Sequence, residues 1–421
     1  MKILYVSQYF PPEMGAPAAR ASELARHWVR DGHDVTVLTG FPNHPTGVVP
    51  AEYRGKLRRL ALREKWNGVS VTRTWLWPLP NRKAHERMLN YISFAVSSAV
   101  TGLFEPRPDV VIASSPQLLV ALSGWWLARC KRVPFVFEVR DLWPESLVAV
   151  GLGDSNSLLH RVLGRIAEFL YRNCDHIVVV TRAFKDYLVK QWRVPPEKIS
   201  IVENGVETEM FAPQDASRLR DDLSIDRKFV VSYIGTIGMA HGLETLLEAA
   251  GRLQMLNPEV VFLLVGEGAD KERIVNLAHA RGLGNVRFVP QQPHELVSSY
   301  ICASDACLVL LRKSPVFKTV IPTKMLEFMS CARPVILGVD GEAREILEKA
   351  ESGAGIEPEN PEQLIRAVLR LAEDKNLRET LGRNGRRYVV QNLSRRRTAQ
   401  TYIEVLTNVA GIGQRQDSAA A

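Results

Sequence analysis

Along the first half of the chain, short runs of aliphatic and β-branched residues alternate with longer stretches whose apolar positions recur every three or four residues. Residues 3–6 read as a strand. A loop rich in proline and glycine follows, and residues 19–30 carry helical spacing through Ala21, Leu24, Ala25 and Trp28. Gly32-His33 ends that helix, and 35–39 is the next strand. Strand, loop, helix and strand make a βαβ unit with a parallel pair. Further strands are predicted at 69–73, 109–114, 135–139, 177–181 and 199–202, with helices at 118–129 and 158–171. A polar stretch at 214–228 interrupts the rhythm. It restarts with strands at 229–234, 260–265, 286–289, 306–311 and 334–337, and with helices at 243–255, 271–281, 295–303, 324–331, 361–372 and 375–391. The expected fold class is therefore α/β, with two doubly wound, Rossmann-like parallel-sheet domains whose ligands bind at C-terminal strand ends, across a cleft. The divisions expected are a domain over 1–205, a linker over 206–228, a second domain over 229–385, a C-terminal helix over 386–411 returning to the first domain, and a disordered tail over 412–421. Residues 88–104 are apolar but include Asn90, Ser93, Ser97, Ser98 and Thr101, and fall short of the ~20 apolar residues a span needs. They read as a packed helix.

Composition changes this picture little. The 421 residues are 46% hydrophobic and 24% charged, which excludes disordered and collagen-like chains. The five cysteines form no C-x-x-C pair, so they read as buried thiols of a reducing compartment. Met1 leads straight into a strand pattern rather than a signal peptide, and a cytoplasmic location is expected. Charge is more informative. The net +8 is divided unevenly: residues 1–200 carry 27 Lys and Arg against 17 Asp and Glu, whereas 201–421 carry 27 against 29. A basic half joined to a near-neutral half suggests different partners for each. No nucleic-acid-binding motif accompanies the charge, so nucleic acid is not the expected partner.

Candidate chemistry lies in the loops after strands. Gly15 follows the first strand. Gly235, Thr236, Ile237 and Gly238 form a turn between the strand at 229–234 and the next helix, with His241 just beyond. Such turns let backbone N–H groups approach an anion, although many βα turns need glycine for geometry alone. Neither a Walker loop nor the G-x-G-x-x-G fingerprint is present. In Pro322-Thr-Lys-Met-Leu-Glu327, Lys324 falls in the first turn of a helix, where a cation opposes the helix dipole unless an anion binds there. Glu327, one turn on, can accept two hydroxyl hydrogen bonds; a Lys324–Glu327 surface pair is the plainer alternative. Arg140 and Asp141 end the strand at 135–139, at the edge where ligands gather, and could equally pair with each other. No Asp-x-Asp, H-E-x-x-H or G-x-S-x-G occurs, so no metal site and no nucleophile elbow are expected.

These segments carry a resemblance over almost the full length. Phe10-Pro-Pro-Glu-Met-Gly15, Glu203-Asn-Gly-Val206, Tyr233-Ile-Gly-Thr-Ile-Gly238, Val265-Gly-Glu-Gly268, Pro322-Thr-Lys-Met-Leu-Glu327 and Gly338-Val-Asp-Gly-Glu-Ala-Arg344 resemble the family 4 retaining glycosyltransferases of the GT-B fold. Glu138-Val-Arg-Asp-Leu-Trp-Pro-Glu-Ser146 and Phe41-Pro-Asn-His-Pro-Thr-Gly47 are similar to the bacterial L-fucosamine transferase-like subgroup of surface-polysaccharide synthesis. The resemblance implies transfer of a sugar, such as N-acetyl-L-fucosamine, from a nucleotide-sugar donor with a UDP leaving group to a lipid-linked saccharide, without a cofactor or divalent metal. By position, Gly15 would line the sugar and phosphate side of the first domain. Gly235 to Gly238 would approach the diphosphate, Gly266, Glu267 and Gln291 the base, Lys324 a phosphate and Glu327 the ribose diol. Three positions depart from the family pattern: Thr319 replaces the first of two glutamates, Met239 replaces a basic residue, and Arg140 stands for a histidine. A sugar-nucleotide epimerase of the same fold and a binding homologue without catalysis are the rival readings.

The lipid-linked acceptor gives the basic region at 51–100 a purpose. Arg58, Arg59, Arg82 and Lys83 accompany Trp75 and Trp77, a mixture suited to an anionic membrane surface. Peripheral attachment to the inner face of the cell membrane is expected; a solvated loop is the alternative.

Overall fold

The computed structural model describes residues 1–44, 46–79, 84–145 and 157–411. The described residues divide into two compact units: those of 1–204 together with 396–411, and those of 205–395.

Unit 1 is built on an eight-stranded sheet of order β3-β4-β2-β1-β5-β6-β7-β8. Its strands are β1 (Lys2–Val6), β2 (Asp34–Gly40), β3 (Ala61–Trp66), β4 (Val69–Thr74), β5 (Val110–Ser114), β6 (Phe135–Val139), β7 (His176–Val179) and β8 (Ile199–Ile201). All pairings are parallel except β3 with β4. The central strands β5 and β6 are buried at every residue, which is why they read as unbroken apolar runs. Helices α1 (Ala16–Arg30), α2 (Ala84–Thr101), α3 (Leu119–Lys131), α4 (Leu158–Asn173) and α5 (Arg182–Trp192) complete the unit's first stretch.

A buried ion pair ties its strand ends together. The Arg20 guanidinium on α1 meets Glu138 at 2.9 Å, and both side chains are essentially inaccessible to solvent. Arg20 also donates to the carbonyls of Val202 and Glu203 and to the Asn204 side chain, each at 3.0 Å, while the Tyr5 hydroxyl donates to Glu138 at 2.7 Å. Burial pushes the Glu138 carboxyl up, but Arg20 and Arg140 outweigh it and hold it below the ordinary carboxylate range. Removing one partner leaves the other charge buried. Arg20→Ala is expected to destabilise unit 1 by ~3–5 kcal/mol in urea denaturation at neutral pH. The contribution of the lowered Glu138 carboxyl is present at neutral pH and lost as acid protonates it.

Unit 2 has six parallel strands in the order β11-β10-β9-β12-β13-β14. They are β9 (Phe229–Ile234), β10 (Val260–Val265), β11 (Val286–Val289), β12 (Ala306–Leu310), β13 (Val335–Gly338) and β14 (Gly353–Gly355). Its principal helices are α6 (Glu244–Leu256), α7 (Lys271–Ala280), α8 (His294–Cys302), α9 (Thr323–Ser330), α10 (Glu342–Lys349), α11 (Pro361–Glu373) and α12 (Lys375–Asn392). Helix α13 (Arg395–Ala410) closes the fold on unit 1, where the Trp28 indole donates to the Ala399 carbonyl at 3.0 Å and packs edge-on against Tyr402.

Helices α5 and α10 and strand β14 are absent from the sequence reading, and four further features differ from it. Strand β3 lies inside the charged stretch 51–100; its Ala-Leu-Arg-Glu-Lys-Trp pattern is that of a half-exposed edge strand, fixed by Glu64 against buried Arg73 at 2.6 Å. The 206–228 stretch is not a free linker. Val206, Phe211, Ala216 and Ile225 enter the unit 2 core, and the Gln214 amide donates to Ser298 at 2.9 Å. The final helical region breaks at Leu393-Ser394, so residues 386–392 stay on unit 2 and only α13 reaches unit 1. Cys130 is exposed, whereas the other four thiols are buried. The tail at 412–421 lies outside the described residues.

Candidate active site

In unit 2 the turns after β9 and β10 are fastened to each other. The Gly235 N–H donates to Val265 O and the Ile237 N–H to Glu267 O, both at 2.9 Å, and the Asp270 N–H returns to Ile237 O at 3.1 Å. The approach is too close for a side chain. A Cβ on Gly266 would lie 2.0 Å from the Gly235 carbonyl oxygen, and one on Gly268 2.1 Å from that of Ile237. Gly266 also has φ +152°, within the region that favours glycine.

Lys324 joins this turn from the first turn of α9. Its ammonium donates to the Tyr233 hydroxyl at 2.9 Å and stands 4.1 Å from the centre of that ring. A Cβ on Gly235 would come within 3.2 Å of Nζ, so the cation lies against the turn itself. The Tyr233 hydroxyl in turn donates to Thr236 O at 2.6 Å. Lysine, tyrosine and carbonyl form one chain that fixes both cation and turn. His241 packs edge-on to Tyr233, with its Nδ1 3.3 Å from the Gly238 nitrogen.

The electrostatics follow from burial. Desolvation pushes the Lys324 ammonium down to about 7, against the opposing pull of Glu327. Desolvation, and then the Lys324 charge, push His241 down to about 4, so it is neutral at physiological pH. Burial holds the Tyr233 phenol well above its ordinary value, so it stays protonated. A desolvated cation against this turn suits an anion, but the expected backbone donors do not accompany it: the N–H groups of Gly235, Ile237 and Gly238 are already bonded to Val265 O, Glu267 O and His241 Nδ1.

The structure therefore gathers Gly235, Thr236, Ile237, Gly238, His241, Gly266, Glu267 and Lys324. Within this group Ile237 contributes only backbone, because its side chain is in the core. Glu267 pairs with Lys271 one turn on. Glu327 lies on α9 one turn from Lys324 and is partly buried. Gln291 is exposed beyond β11, and the Thr319 hydroxyl donates to Val316 O at 2.7 Å. Two supporting residues escape sequence reasoning. Tyr233 is one: it opens the Tyr233–Gly238 segment, but only the glycine turn after it is singled out there. Arg312 is the other. It donates from Nε to Met239 O at 2.6 Å and from its guanidinium to Glu244 at 2.9 Å, holding the helical turn Met239–His241. Nothing in the residues around Arg312 marks it. Among the described residues, no three His, Cys, Asp or Glu side chains gather closely enough to hold a metal ion.

Unit 1 has its own polar cluster at the C-terminal end of its sheet. Gly15 precedes α1. The buried Glu13 carboxylate, in the same loop, accepts the N–H groups of Asn43 and His44, both at 2.9 Å. Burial pushes its carboxyl up to about 7 despite those hydrogen bonds. The Gln8 amide donates to Asn90 at 2.6 Å, and Asn90 donates to Asn43 at 3.0 Å. Gln8 Oε1 and Gln117 Nε2, past the ends of the adjacent strands β1 and β5, are buried without a hydrogen-bond partner. Each such orphan costs about 1–3 kcal/mol, which a hydroxyl-bearing ligand would relieve. Arg140 donates from its guanidinium to Ala16 O at 3.1 Å, at the start of α1, and from its main chain to Ser115 Oγ at 2.7 Å. Asp141 is partly buried beside it. Gln8, Asn90 and Gln117 lie in no motif, and Glu13, although inside Phe10–Gly15, is not singled out there; the strand order brings β1 and β5, and so Gln8 and Gln117, side by side. Arg58 and Arg59 are exposed, as are Trp75 and Trp77; Arg82 and Lys83 lie outside the described residues.

Comparison with known proteins agrees across both units. Residues 15–205 match the family model for a glycosyl transferase 4-like domain, and residues 215–388 that for glycosyl transferases group 1. A colanic acid biosynthesis glycosyl transferase of Escherichia coli K12, WcaI, is 26% identical over 388 residues, covering 87% of this chain and 91% of its own. Sucrose-phosphate synthase from Thermosynechococcus elongatus superposes with TM-score 0.76 at 21% identity over the whole of both chains. Anabaena HepE in complex with UDP-glucose superposes with TM-score 0.70 at 19% identity, over 97% of this chain and 100% of its own. With both domain types in sequence and two parallel-sheet units in the structure, the chain belongs to the glycosyltransferases of the GT-B fold.

Proposed function

We propose that the enzyme transfers a sugar, with retention, from a uridine-diphosphate donor to a lipid-linked saccharide in bacterial surface-polysaccharide synthesis. The observation that carries this reading is the Lys324 ammonium held by Tyr233 against the Gly235 turn. Cleavage of the donor's anomeric C–O bond leaves both bonding electrons on the diphosphate. Lys324 stabilises that charge where it develops, and Tyr233 keeps the cation in place. Glu327 accepts the ribose hydroxyls. In unit 1, Gln8, Glu13 and Gln117 hold hydroxyls of the acceptor saccharide, one of which attacks the anomeric carbon from the face that the diphosphate leaves and passes its proton to the departing diphosphate oxygen. The donor sugar is an N-acetylated amino sugar such as N-acetyl-L-fucosamine, following the subgroup resemblance. WcaI supports polysaccharide synthesis by its name, and HepE supports UDP-sugars through its complex with UDP-glucose. No metal takes part.

A thermal-shift screen of UDP-, GDP- and dTDP-sugars tests the reading. UDP-sugars are expected to raise the melting temperature most. Mass spectrometry with lipid-diphosphate saccharides is then expected to show a product gaining one sugar, with undiminished yield in EDTA. Conversion of the donor alone to an epimer, or nucleotide binding with no transfer to any lipid-linked acceptor, would overturn it.

A further inference from the structure

Helix α2 is inside out. Its inward row is Asn90, Phe94, Ser98 and Thr101, three of them polar. Those groups are satisfied within unit 1: Asn90 donates to Trp77 O at 2.8 Å, Ser98 to Ser123 at 3.1 Å, and Thr101 shares a hydrogen bond with Thr74 at 2.9 Å. The outward row is aliphatic. Leu89, Ile92, Val96 and Val100 recur at helical spacing and continue into Leu103 and Phe104; Val96 is 60% and Phe104 76% exposed. A helix of a water-soluble surface shows the reverse arrangement. Scattered exposed apolar residues need no explanation, but a continuous stripe of this length marks an interaction surface.

The stripe runs into a cleft of about 570 Å³ between the end of α2 and the edge strand β3. Leu60, Ala61, Trp75, Val100 and Phe104 line it, and Leu60 is 84% exposed. Its volume falls within the ~300–1,000 Å³ usual for ligand pockets. Cations surround this apolar ground. Arg58 and Arg59 are exposed immediately before Leu60, Lys65 is exposed on β3, and Arg63 meets Glu105 at 3.1 Å among the lining residues. Among the described residues no helix is long and apolar enough to cross a membrane, so the stripe is suited to lying on one.

We infer that the outward face of α2 is the seat of this enzyme on an anionic bilayer, and that the cleft beside β3 takes an acyl chain of a bilayer phospholipid whose headgroup meets Arg58 and Arg59. The charge complementarity selects the occupant: a second copy of this basic surface would bring like charges together. The inference rests on the lipid-linked-acceptor reading. Its test needs neither donor nor acceptor, so the two can fail separately.

The test is flotation with vesicles of phosphatidylcholine, with and without phosphatidylglycerol. Binding is expected only when phosphatidylglycerol is present. Val96→Gln with Val100→Gln is expected to abolish it, and Arg58→Ala with Arg59→Ala to weaken it on the order of tenfold. Circular dichroism and the UDP-induced thermal shift of these variants should match the parent, which separates lost docking from lost folding. Phosphatidylglycerol brominated on its acyl chains should quench tryptophan fluorescence, and Trp75→Leu should remove part of that quenching. Equal flotation of parent and Val96→Gln/Val100→Gln protein would overturn the seat. So would a dimer, seen by sedimentation, that dissociates in that variant. Quenching unchanged by Trp75→Leu would overturn the cleft.

Discussion

Lys324→Ala is expected to lower kcat by roughly 10²–10³-fold, the usual cost of losing one donor that stabilises a developing oxyanion. The chain from Lys324 through Tyr233 to Thr236 O fixes where the ammonium stands before any substrate arrives. Its pH behaviour makes the assignment specific. Desolvation brings Lys324 down to about 7, so at pH 8 most free enzyme carries a neutral amine there. A diphosphate beside it favours the ammonium, so binding must take up a proton. Donor affinity should fall by up to tenfold per pH unit above about 7, until the raised value in the complex is reached. Calorimetry of UDP binding at pH 8, in two buffers of different protonation enthalpy, should give an uptake approaching one proton; none should occur in Lys324→Met. Stability runs the other way. A lysine lowered by folding opposes the fold at neutral pH, and that opposition fades as pH climbs from about 7 towards the ordinary lysine range. Lys324→Met should therefore melt no lower than the parent at pH 7. Full activity of Lys324→Ala would discard the site.

Gly266→Ala is the second large effect. The added Cβ would stand 2.0 Å from a backbone carbonyl, in a conformation that L residues avoid, so two turns must part. We expect loss of the UDP-induced thermal shift, at least a 10²-fold loss of transfer, and destabilisation of unit 2 on the order of 3 kcal/mol. Gly284→Ala is the control, since its Cβ would meet only Gln254, at 3.7 Å. Equal behaviour of the two variants would show that the close approach is not what matters.

The central strands and most of the helices were legible because burial on both faces leaves an unbroken apolar signature, as in β5 and β6. Strand β3 was not, since an edge strand needs to bury little and its charges mask the alternation. In the site, Lys324 was visible because a cation at a helix start runs against the dipole. Tyr233 and Arg312 were not, because each acts on groups some 70–90 residues away that only the strand order brings near. Gln8 and Gln117 illustrate the same limit: an orphaned amide is a property of packing, and composition carries no trace of it.

Helix α13 sets an order of events on the ribosome. Unit 2 is one uninterrupted stretch, 205–395, and is complete once its own last helix has emerged. Unit 1 emerges first but finishes last, because Trp28 must wait for Ala399 and Tyr402. Until then one face of α1 is uncovered. A nascent chain in this state, or any fragment ending before 395, exposes an aromatic patch to chaperones and to aggregation.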